Sequence, residues 1–304
     1  MYDVIGDIHG HAVELKQLLK KMGYEKSGNC FQHPTRKALF LGNYIDCGPE
    51  IPETLDIVRN MVESGNAIAL MGNHEYNAIC VNTTHPDTGS PLRQLTLQNL
   101  EQHKETLLQF ATAMNHYDEY IRWFSQLPLY FENDFLRAVH ATWDPDLVNR
   151  FNQMNGGNRF NSQQMIVRSI TGGEDVCAIV DVLLKGKAID LPAGVLLTDK
   201  DSNERKRVRV KWWKGSETAR LQELGLPLQE SLPNVQVKAA LQGYDPTDKP
   251  VFFGHYRMKG LPQLQAANVC CVDYSVAKGG RLVAYRHESG RQLDRKNLVW
   301  INSR

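Results

Sequence analysis

Five short apolar runs in this sequence each end beside a residue that can bind a metal ion. Those residues are Asp7 with His9, Asn43 with Asp46, Asn73 with His74, His140, and His255. In an α/β sheet the carboxyl ends of the strands open on a common crevice, so these side chains can meet in space. One histidine beside an apolar run is typical of a structural residue, but five such placements in one chain favour a built metal site.

The first third of the chain alternates strand-like runs with amphipathic helices. One predicted helix ends at Gly23, and the next begins at Pro52 and ends at Gly65. Glycine suits the residue after a helix, and proline suits its first turn. Strand, helix, strand, helix and strand at this spacing predict βαβ units and a parallel sheet. The predicted fold class is therefore α/β.

The rest of the chain is predicted to contain further helices and strands. In chain order we expect a helical segment at 95–127, an antiparallel pair at 129–131 and 136–139, a loop at 152–161, a helix at 176–184, a hairpin of 195–197 with 208–212 around a polar turn at 199–203, and strands at 251–253, 269–272 and 282–285. We expect a single domain, 1–304, because the sequence contains no long linker. Within it, about 95–127 is a helical insertion that packs on the sheet or caps the substrate, and about 150–245 is a helix-plus-hairpin region without an assigned role.

The composition limits the classes of function. A formal net charge of +1 gives no global attraction to nucleic acid or to anionic membranes, so specific nucleic-acid recognition is not expected. No apolar run reaches the ~20 residues that span a bilayer, and no secretory signal precedes the first strand-like run. The six cysteines are scattered, which is typical of free thiols in a reducing compartment. We therefore expect a soluble cytoplasmic protein without membrane contact.

Five sequence blocks carry a more specific resemblance. They are Gly6-Asp7-Ile8-His9-Gly10, Gly42-Asn43-Tyr44-Ile45-Asp46-Cys47-Gly48-Pro49, Gly72-Asn73-His74-Glu75, Val139-His140-Ala141 and Phe253-Gly254-His255. In this order they resemble the signature blocks of the calcineurin-like binuclear metallophosphoesterases. The trailing Gly-Pro of the second block resembles the phosphoprotein phosphatase branch, with its bacterial serine/threonine phosphatases and diadenosine tetraphosphatases. The resemblance implies a four-layer α/β/β/α sandwich with two mixed sheets.

The resemblance also implies a site for two divalent metal ions. Manganese is the expected metal, with iron, zinc or nickel as alternatives. The implied ligands are Asp7, His9 and Asn43 for the first ion, and Asn43, Asn73, His140 and His255 for the second. Two such ions ~4 Å apart clamp a phosphoryl group and generate hydroxide near neutral pH. By the same resemblance His74 donates a proton to the leaving oxygen while Asp46 holds it, and Asn73 also contacts the phosphate.

Asn43 departs from the family pattern, which has an aspartate at this position that bridges the two metal ions. A neutral amide offers one good ligand oxygen, and its NH₂ group repels a cation. The missing charge weakens metal binding, since a unit-charge pair at 4 Å is worth about 4 kcal/mol in a surface-like dielectric. Three interpretations stay open: an introduced Asp→Asn change that inactivates an enzyme, a natural pseudo-phosphatase, and a natural enzyme that works with one metal ion or a shifted pair.

Cys47 is the second departure, because the phosphatase branch usually has an arginine there that grips the substrate phosphate. Arg257, two residues after His255, is predicted to replace it, with Arg168 as a second candidate. The basic run Glu204–Lys214 is interpreted as a solvated strand face, and a basic arm beside the cleft is the alternative.

The predicted reaction is metal-dependent hydrolysis of a phosphate monoester by attack of a metal-bound hydroxide. The expected partners are a phosphorylated small molecule, a nucleotide or a phosphoprotein. The alternative enzyme is a dinucleoside polyphosphate hydrolase, for which Trp143, Tyr256 or Trp213 would supply a base-stacking wall. The alternative without catalysis is a pseudo-phosphatase that binds a phosphorylated ligand.

Overall fold

The computed structural model describes residues 1–172, 174–192, 194–198, 204–226 and 232–304. The helices are α1 Ala12–Lys21, α2 Ile51–Glu63, α3 Asn73–Asn82, α4 Leu97–Phe110, α5 Met114–Phe124, α6 Pro145–Asn155, α7 Gln163–Thr171, α8 Glu174–Lys185 and α9 Leu221–Leu224. The strands are β1 Tyr2–Ile5, β2 Glu25–Ser27, β3 Cys30–Gln32, β4 Lys37–Phe40, β5 Ala67–Ala69, β6 Tyr130–Glu132, β7 Arg137–Val139, β8 Ala188–Asp190, β9 Leu197–Thr198, β10 Glu204–Arg205, β11 Arg207–Arg209, β12 Ser216–Arg220, β13 Gln236–Leu241, β14 Val251–Phe253, β15 Val269–Cys271, β16 Asp273–Tyr274, β17 Arg281–His287 and β18 Leu298–Asn302. Within these ranges, no helix has both the length and the apolar character that a membrane crossing requires.

The larger sheet carries the parallel strands that the first third of the sequence predicts. Its strand order is β16-β17-β1-β4-β5, with β18 beside β17. β1 pairs in parallel with β4, and β4 with β5, whereas β17 runs antiparallel to β1. Because α1 and α2 lie in the connections between these parallel strands, the predicted βαβ units are confirmed.

The smaller sheet has the order β15-β14-β7-β6. β14 pairs in parallel with β7 and β15, whereas β6 and β7 form the predicted antiparallel pair. Alternate side chains of both sheets, among them Val4, Leu39, Ala138 and Phe252, form one core between the sheets. The opposite strand faces join the helices in a second core. The predicted four-layer sandwich of two mixed sheets is therefore confirmed.

The predicted helical segment at 95–127 consists of two helices, α4 and α5, separated by residues 111–113. α5 buries Tyr117, Tyr120, Trp123 and Phe124 and packs against α3. α4 packs against α2 and is buried on a narrower face, which includes His103 and Thr106. The segment is thus a packed part of the fold, and α4 brings polar groups into the interior.

The loop predicted at 152–161 is wrong for its first residues, because α6 continues to Asn155. Asp144 begins this helix, and its Oδ1 accepts a hydrogen bond from the Leu147 N–H at 3.3 Å. Pro145 occupies the first turn, where its missing N–H costs nothing. The helix ends at Gly156, whose φ of 68° is readily adopted only by glycine. The caps therefore override the composition of the asparagine-rich stretch.

The predicted hairpin of 195–197 with 208–212 is also wrong in its pairing. β9 pairs with β10, whereas β11 pairs with β8 and places Val208 opposite Ile189. The predicted alternation of the basic run is correct for Val208 and Val210, which are buried in a small separate core with Leu221 and Leu224. The turn expected at 199–203 lies outside the described residues.

His287, the last residue of β17, is buried in a way that opposes its protonation. Its side chain is 1% exposed, and neither ring nitrogen has a hydrogen-bond partner in the described part of the chain. Burial, assisted by the nearby Arg36 cation, lowers the pKa of His287 to about 4. The pKa returns to about 6.5 in the unfolded chain, so acid favours unfolding through this group.

We predict that His287→Phe removes this part of the pH dependence of stability. The contribution of the neutral histidine is fully present above about pH 6.5 and is lost as the pH falls towards 4; after allowance for solvent screening it is worth about 2 kcal/mol. Urea unfolding near pH 7 and near pH 4.5 measures the difference. The exposed His116→Phe control should keep the wild-type decrease, and an unchanged decrease in His287→Phe would contradict the assignment.

Candidate metal centre and cleft

The ends of five strands bring the predicted metal-binding residues together at one edge of the two sheets. Asp7 follows β1, Asn43 follows β4, Asn73 follows β5, His140 follows β7 and His255 follows β14. The resulting contacts are Asn43 Nδ2 to Asp7 Oδ2 at 3.1 Å, Asn43 Nδ2 to Asn73 Oδ1 at 3.3 Å, His140 Nε2 to Asn73 Oδ1 at 3.0 Å, and His9 Nε2 to Asp7 Oδ2 at 4.0 Å. The rings of His140 and His255 lie 5.1 Å apart. All six predicted ligand positions therefore form one cluster, and their role as ligands stays a prediction.

Two glycines permit this close approach of backbone and side chains. A Cβ atom on Gly254 would lie 2.2 Å from Asp7 Oδ1, and one on Gly72 would lie 2.3 Å from Asn43 Oδ1. Both distances are far below a normal contact, so any larger residue would displace the cluster. The glycines that precede Asn73 and His255 in the sequence blocks thus have a steric cause.

The imidazoles are oriented as metal ligands usually are. His9 Nδ1 donates to the Ile45 carbonyl at 2.8 Å, and His140 Nδ1 donates to the Leu41 carbonyl at 2.8 Å. Each ring therefore directs the lone pair of its Nε2 into the cluster. His255 Nε2 is buried there without a hydrogen-bond partner in the described residues.

The electrostatics of the cluster keep these imidazoles neutral. Burial lowers the pKa of His140 to about 3 and also lowers the pKa of His9 and of His255. Burial and the nearby Asp273 raise the pKa of Asp7. Neutral imidazoles and an uncompensated carboxyl group are the donor set that a divalent cation stabilises, so these residues fit a bound ion.

Asn43 is the position that does not fit a bridging ligand. Its Oδ1 accepts the backbone N–H of His74 at 3.0 Å, and its Nδ2 donates to Asp7 and Asn73. A hydrogen-bond donor therefore points to the centre of the cluster, where two cations would require an anion. In the described residues no three His, Cys, Asp or Glu side chains are arranged to hold an ion by themselves.

The predicted His74–Asp46 pair is formed, with His74 Nδ1 2.6 Å from Asp46 Oδ2. The sequence did not reveal what holds the other carboxylate oxygen. Asp46 Oδ1 lies 2.6 Å from His103 Nδ1 and accepts from Thr106 Oγ1 at 2.7 Å, both on α4. His103 Nε2 in turn lies 2.8 Å from the Tyr117 hydroxyl. Burial alone would raise the pKa of Asp46, but hydrogen bonds from the two histidines hold it below its ordinary value.

Two arginines face the cluster. Arg257 adopts a φ of 47° that is unusual for a residue with a side chain, and its backbone N–H is fixed by Asp273 Oδ2 at 2.7 Å. It lies close enough to Cys47 and Asp7 to oppose the rise in pKa that desolvation causes at both. The predicted replacement for the missing arginine is thus placed beside Cys47. The second candidate, Arg168, contacts Met165 on its own helix, and no contact in the described residues joins it to the cluster.

Arg209 is a cleft residue that the sequence did not single out. It belongs to β11, and its guanidinium lies over the Tyr256 ring at 5.5 Å. Burial lowers its pKa, and its charge helps to lower the pKa of His255. In the described part of the chain no carboxylate lies within ion-pair distance of Arg209, although Asp273 is near enough to oppose the fall in its pKa. Within the basic run, Arg207 is therefore exposed to solvent, as a solvated strand face predicts, whereas Arg209 lines the cleft.

The three aromatic residues considered for base stacking are not available. Trp143, Tyr256 and Trp213 are 3%, 4% and 6% exposed. Trp213 and Tyr256 pack against Phe253, and the Tyr256 hydroxyl contacts Thr142. The expectation that one of them forms a stacking wall is therefore wrong in this structure.

Comparisons with known proteins agree with the sequence blocks. The family described as calcineurin-like phosphoesterase matches residues 2–228. An asymmetrical bis(5'-nucleosyl)-tetraphosphatase PrpE of Halalkalibacterium halodurans is 30% identical over 148 residues, which are 46% of this chain and 56% of the relative. The protein of the same name from Bacillus velezensis is 29% identical over 157 residues, 50% of this chain and 60% of the relative. The chain thus spans little more than half the length of these relatives.

A solved structure supports the fold over nearly the whole chain. A serine/threonine phosphatase of Saccharomyces cerevisiae, described as similar to human phosphatase PP5, matches 99% of this chain and 79% of its own with a TM-score of 0.53. The sequence identity is 16%, so the likeness concerns the sandwich and its layers.

We predict that Thr106→Val destabilises the fold by about 1–2 kcal/mol, because the buried Asp46 carboxylate loses one of its donors. Thr106→Ser keeps the hydroxyl and should cost less. The free energy of unfolding in urea measures both, with the exposed Thr171→Val on α7 as a control. Equal stability of Thr106→Val and Thr106→Ser would show that the hydroxyl does not support Asp46.

Proposed function

Because the chain belongs to the calcineurin-like phosphoesterase family, we propose that it is a metal-dependent hydrolase of phosphate monoesters. The observation that carries the proposal is the position of His74, whose ring lies 4.8 Å from that of His9 in the cluster and which is held by Asp46. A proton donor is therefore fixed beside the groups that would bind a divalent ion. Arg209 and Arg257 add positive charge on the same side, as an anionic substrate requires.

Each residue has a role that follows from its contacts. Asp46 accepts from His74 Nδ1, which leaves Nε2 as the atom that gives a proton to the leaving oxygen. His103 and Thr106 hold Asp46 in place from α4. Arg209 and Arg257 bind the phosphate oxygens, in the role that Cys47 cannot fill.

Asp7, His9, Asn73, His140 and His255 would hold the divalent metal, for which manganese is the expected ion. When bound, such an ion neutralises phosphate charge and activates water near neutral pH. The oxygen and imidazole donors of this set suit manganese, iron, zinc or nickel, and they need no thiolate.

The second candidate is hydrolysis of a dinucleoside tetraphosphate, and the names of the PrpE relatives favour it. The reacting group would be a phosphoanhydride at the same cluster. Against this candidate, Trp143, Tyr256 and Trp213 are buried in the core and leave no face for a base. The geometry thus supports recognition of the phosphate rather than of the nucleoside.

The test compares manganese-dependent hydrolysis of an aryl phosphate and of diadenosine tetraphosphate. We expect hydrolysis of the aryl phosphate that His74→Asn lowers by about 100-fold or more in kcat, because the proton donor is lost. Asn43→Asp should raise activity, and the exposed Asn115→Asp should not. Faster turnover of the dinucleotide would favour the second candidate. No hydrolysis by the chain or by Asn43→Asp would overturn both, and tight phosphopeptide binding without turnover would then support a pseudo-phosphatase.

We predict that Arg257→Ala and Arg209→Ala each raise KM for the aryl phosphate by about 10-fold to 100-fold, since a hydrogen bond to a charged group is worth roughly 1.5–3 kcal/mol. Steady-state kinetics measure the effect. Arg168→Ala, which removes an equal charge from α7, should leave KM unchanged. A KM unaffected by Arg209→Ala would exclude this residue from substrate binding.

A further inference from the structure

The side-chain amide of Asn43 lies at the centre of the predicted metal cluster, and its NH₂ group faces the other ligand positions. Nδ2 lies 3.1 Å from Asp7 Oδ2 and 3.3 Å from Asn73 Oδ1, so it joins the two halves of the cluster. We propose that Asn43 limits this chain to one tightly bound divalent cation, held at Asp7 and His9. The inference rests on the proposed function only for the identity of the metal-binding residues.

The orientation of the Asn43 amide is fixed by its surroundings. Oδ1 accepts the His74 N–H at 3.0 Å. A reversed amide would set its NH₂ against that N–H and its oxygen against the oxygens of Asp7 and Asn73, so every contact would become repulsive. Gly72 packs so closely on Oδ1 that a Cβ atom there would lie 2.3 Å away. These hydrogen bonds therefore hold the amide with its nitrogen, and not its oxygen, towards the centre.

The distribution of charge decides which half of the cluster keeps an ion. Asp7 is the only carboxylate among the six positions, and the Nε2 lone pair of His9 is directed towards it. Asp273 also lies near, but its two oxygens accept the backbone N–H groups of Arg257 and Ser275. The positive charge of an ion bound at Asp7 and His9 would therefore be partly neutralised by the Asp7 carboxylate, which is one of its own ligands.

The other half of the cluster has neutral donors. Asn73 Oδ1 and His140 Nε2 face each other at 3.0 Å, an arrangement of two lone pairs that suits a cation. The Asn43 amide donates to both halves, to Asp7 Oδ2 as well as to Asn73 Oδ1, so what distinguishes this half is that no carboxylate belongs to it. A second dication there would be repelled by the first without an anion between them. The second site should consequently bind much more weakly than the first.

The experiment measures metal stoichiometry independently of activity. The chain and Asn43→Asp are stripped with a chelator and dialysed against Mn²⁺, and bound manganese is counted by elemental analysis and by electron paramagnetic resonance. We expect one ion per chain with the spectrum of isolated Mn²⁺ in the wild type. Asn43→Asp should bind two, with an exchange-coupled spectrum and a second-site affinity higher by roughly 100-fold.

Three controls separate the causes. Asn43→Ala removes the amide donor without adding charge and should still bind one ion. Asn115→Asp adds an exposed charge and should also bind one, whereas Asp7→Asn should lose the ion. Two coupled ions in the wild type, or no second ion in Asn43→Asp, would overturn the inference while leaving phosphate hydrolysis as a separate result. No ion in either protein would overturn the inference and also the metal dependence of the proposed function.

Discussion

The hydrogen bond from the His255 backbone N–H to Asp7 Oδ1, at 3.1 Å, joins residues 248 positions apart, and the cleft depends on it. It ties the end of β14 in the smaller sheet to the end of β1 in the larger one. The contact requires Gly254, since any side chain there would occupy the space of the carboxylate. With the two sheet edges held in this way, residues from five separate strands form one cluster. A second contact between the sheets, from His140 Nδ1 to the Leu41 carbonyl at 2.8 Å, acts together with it.

Much of the larger sheet and of the cluster could be predicted from the sequence because their signals are local. Asp7 and Asn73 each follow a strand and a glycine closely, and this short pattern is enough to predict where the polar side chain lies. The helix boundaries at Gly23 and Pro52 are predicted from the backbone preferences of glycine and proline alone. The sequence does not predict the pairing of β17 with β1, because antiparallel pairing across more than 270 residues leaves no local pattern. The loop prediction at 152–161 is wrong at its start because the cap at Asp144 and the proline in the first turn favour a helix that continues to Asn155.

The parts of the cleft that sequence reasoning missed lie in segments without a signature. His103, Thr106 and Phe110 lie at helical spacing on the buried face of α4. The sequence signal for a role of His103 and Thr106 is therefore a pair of polar residues on the apolar face of a predicted helix. Arg209 was read as part of a basic run, and only the pairing of β11 with β8 turns it towards Tyr256. Both come from long-range packing. The region at about 150–245 thus places one residue, Arg209, beside the cluster.

Four residues of the cleft, His9, Asp46, His255 and Arg257, have positive φ values although none is glycine. Such conformations cost on the order of 1–3 kcal/mol each, and the surrounding structure must supply that energy. All four lie at the edge where the two sheets meet, so the contacts of this edge, among them the hydrogen bond from the Arg257 N–H to Asp273, must offset the strain in one place. The Asn43 amide therefore lies in a cleft whose backbone is held in costly conformations by the structure around it.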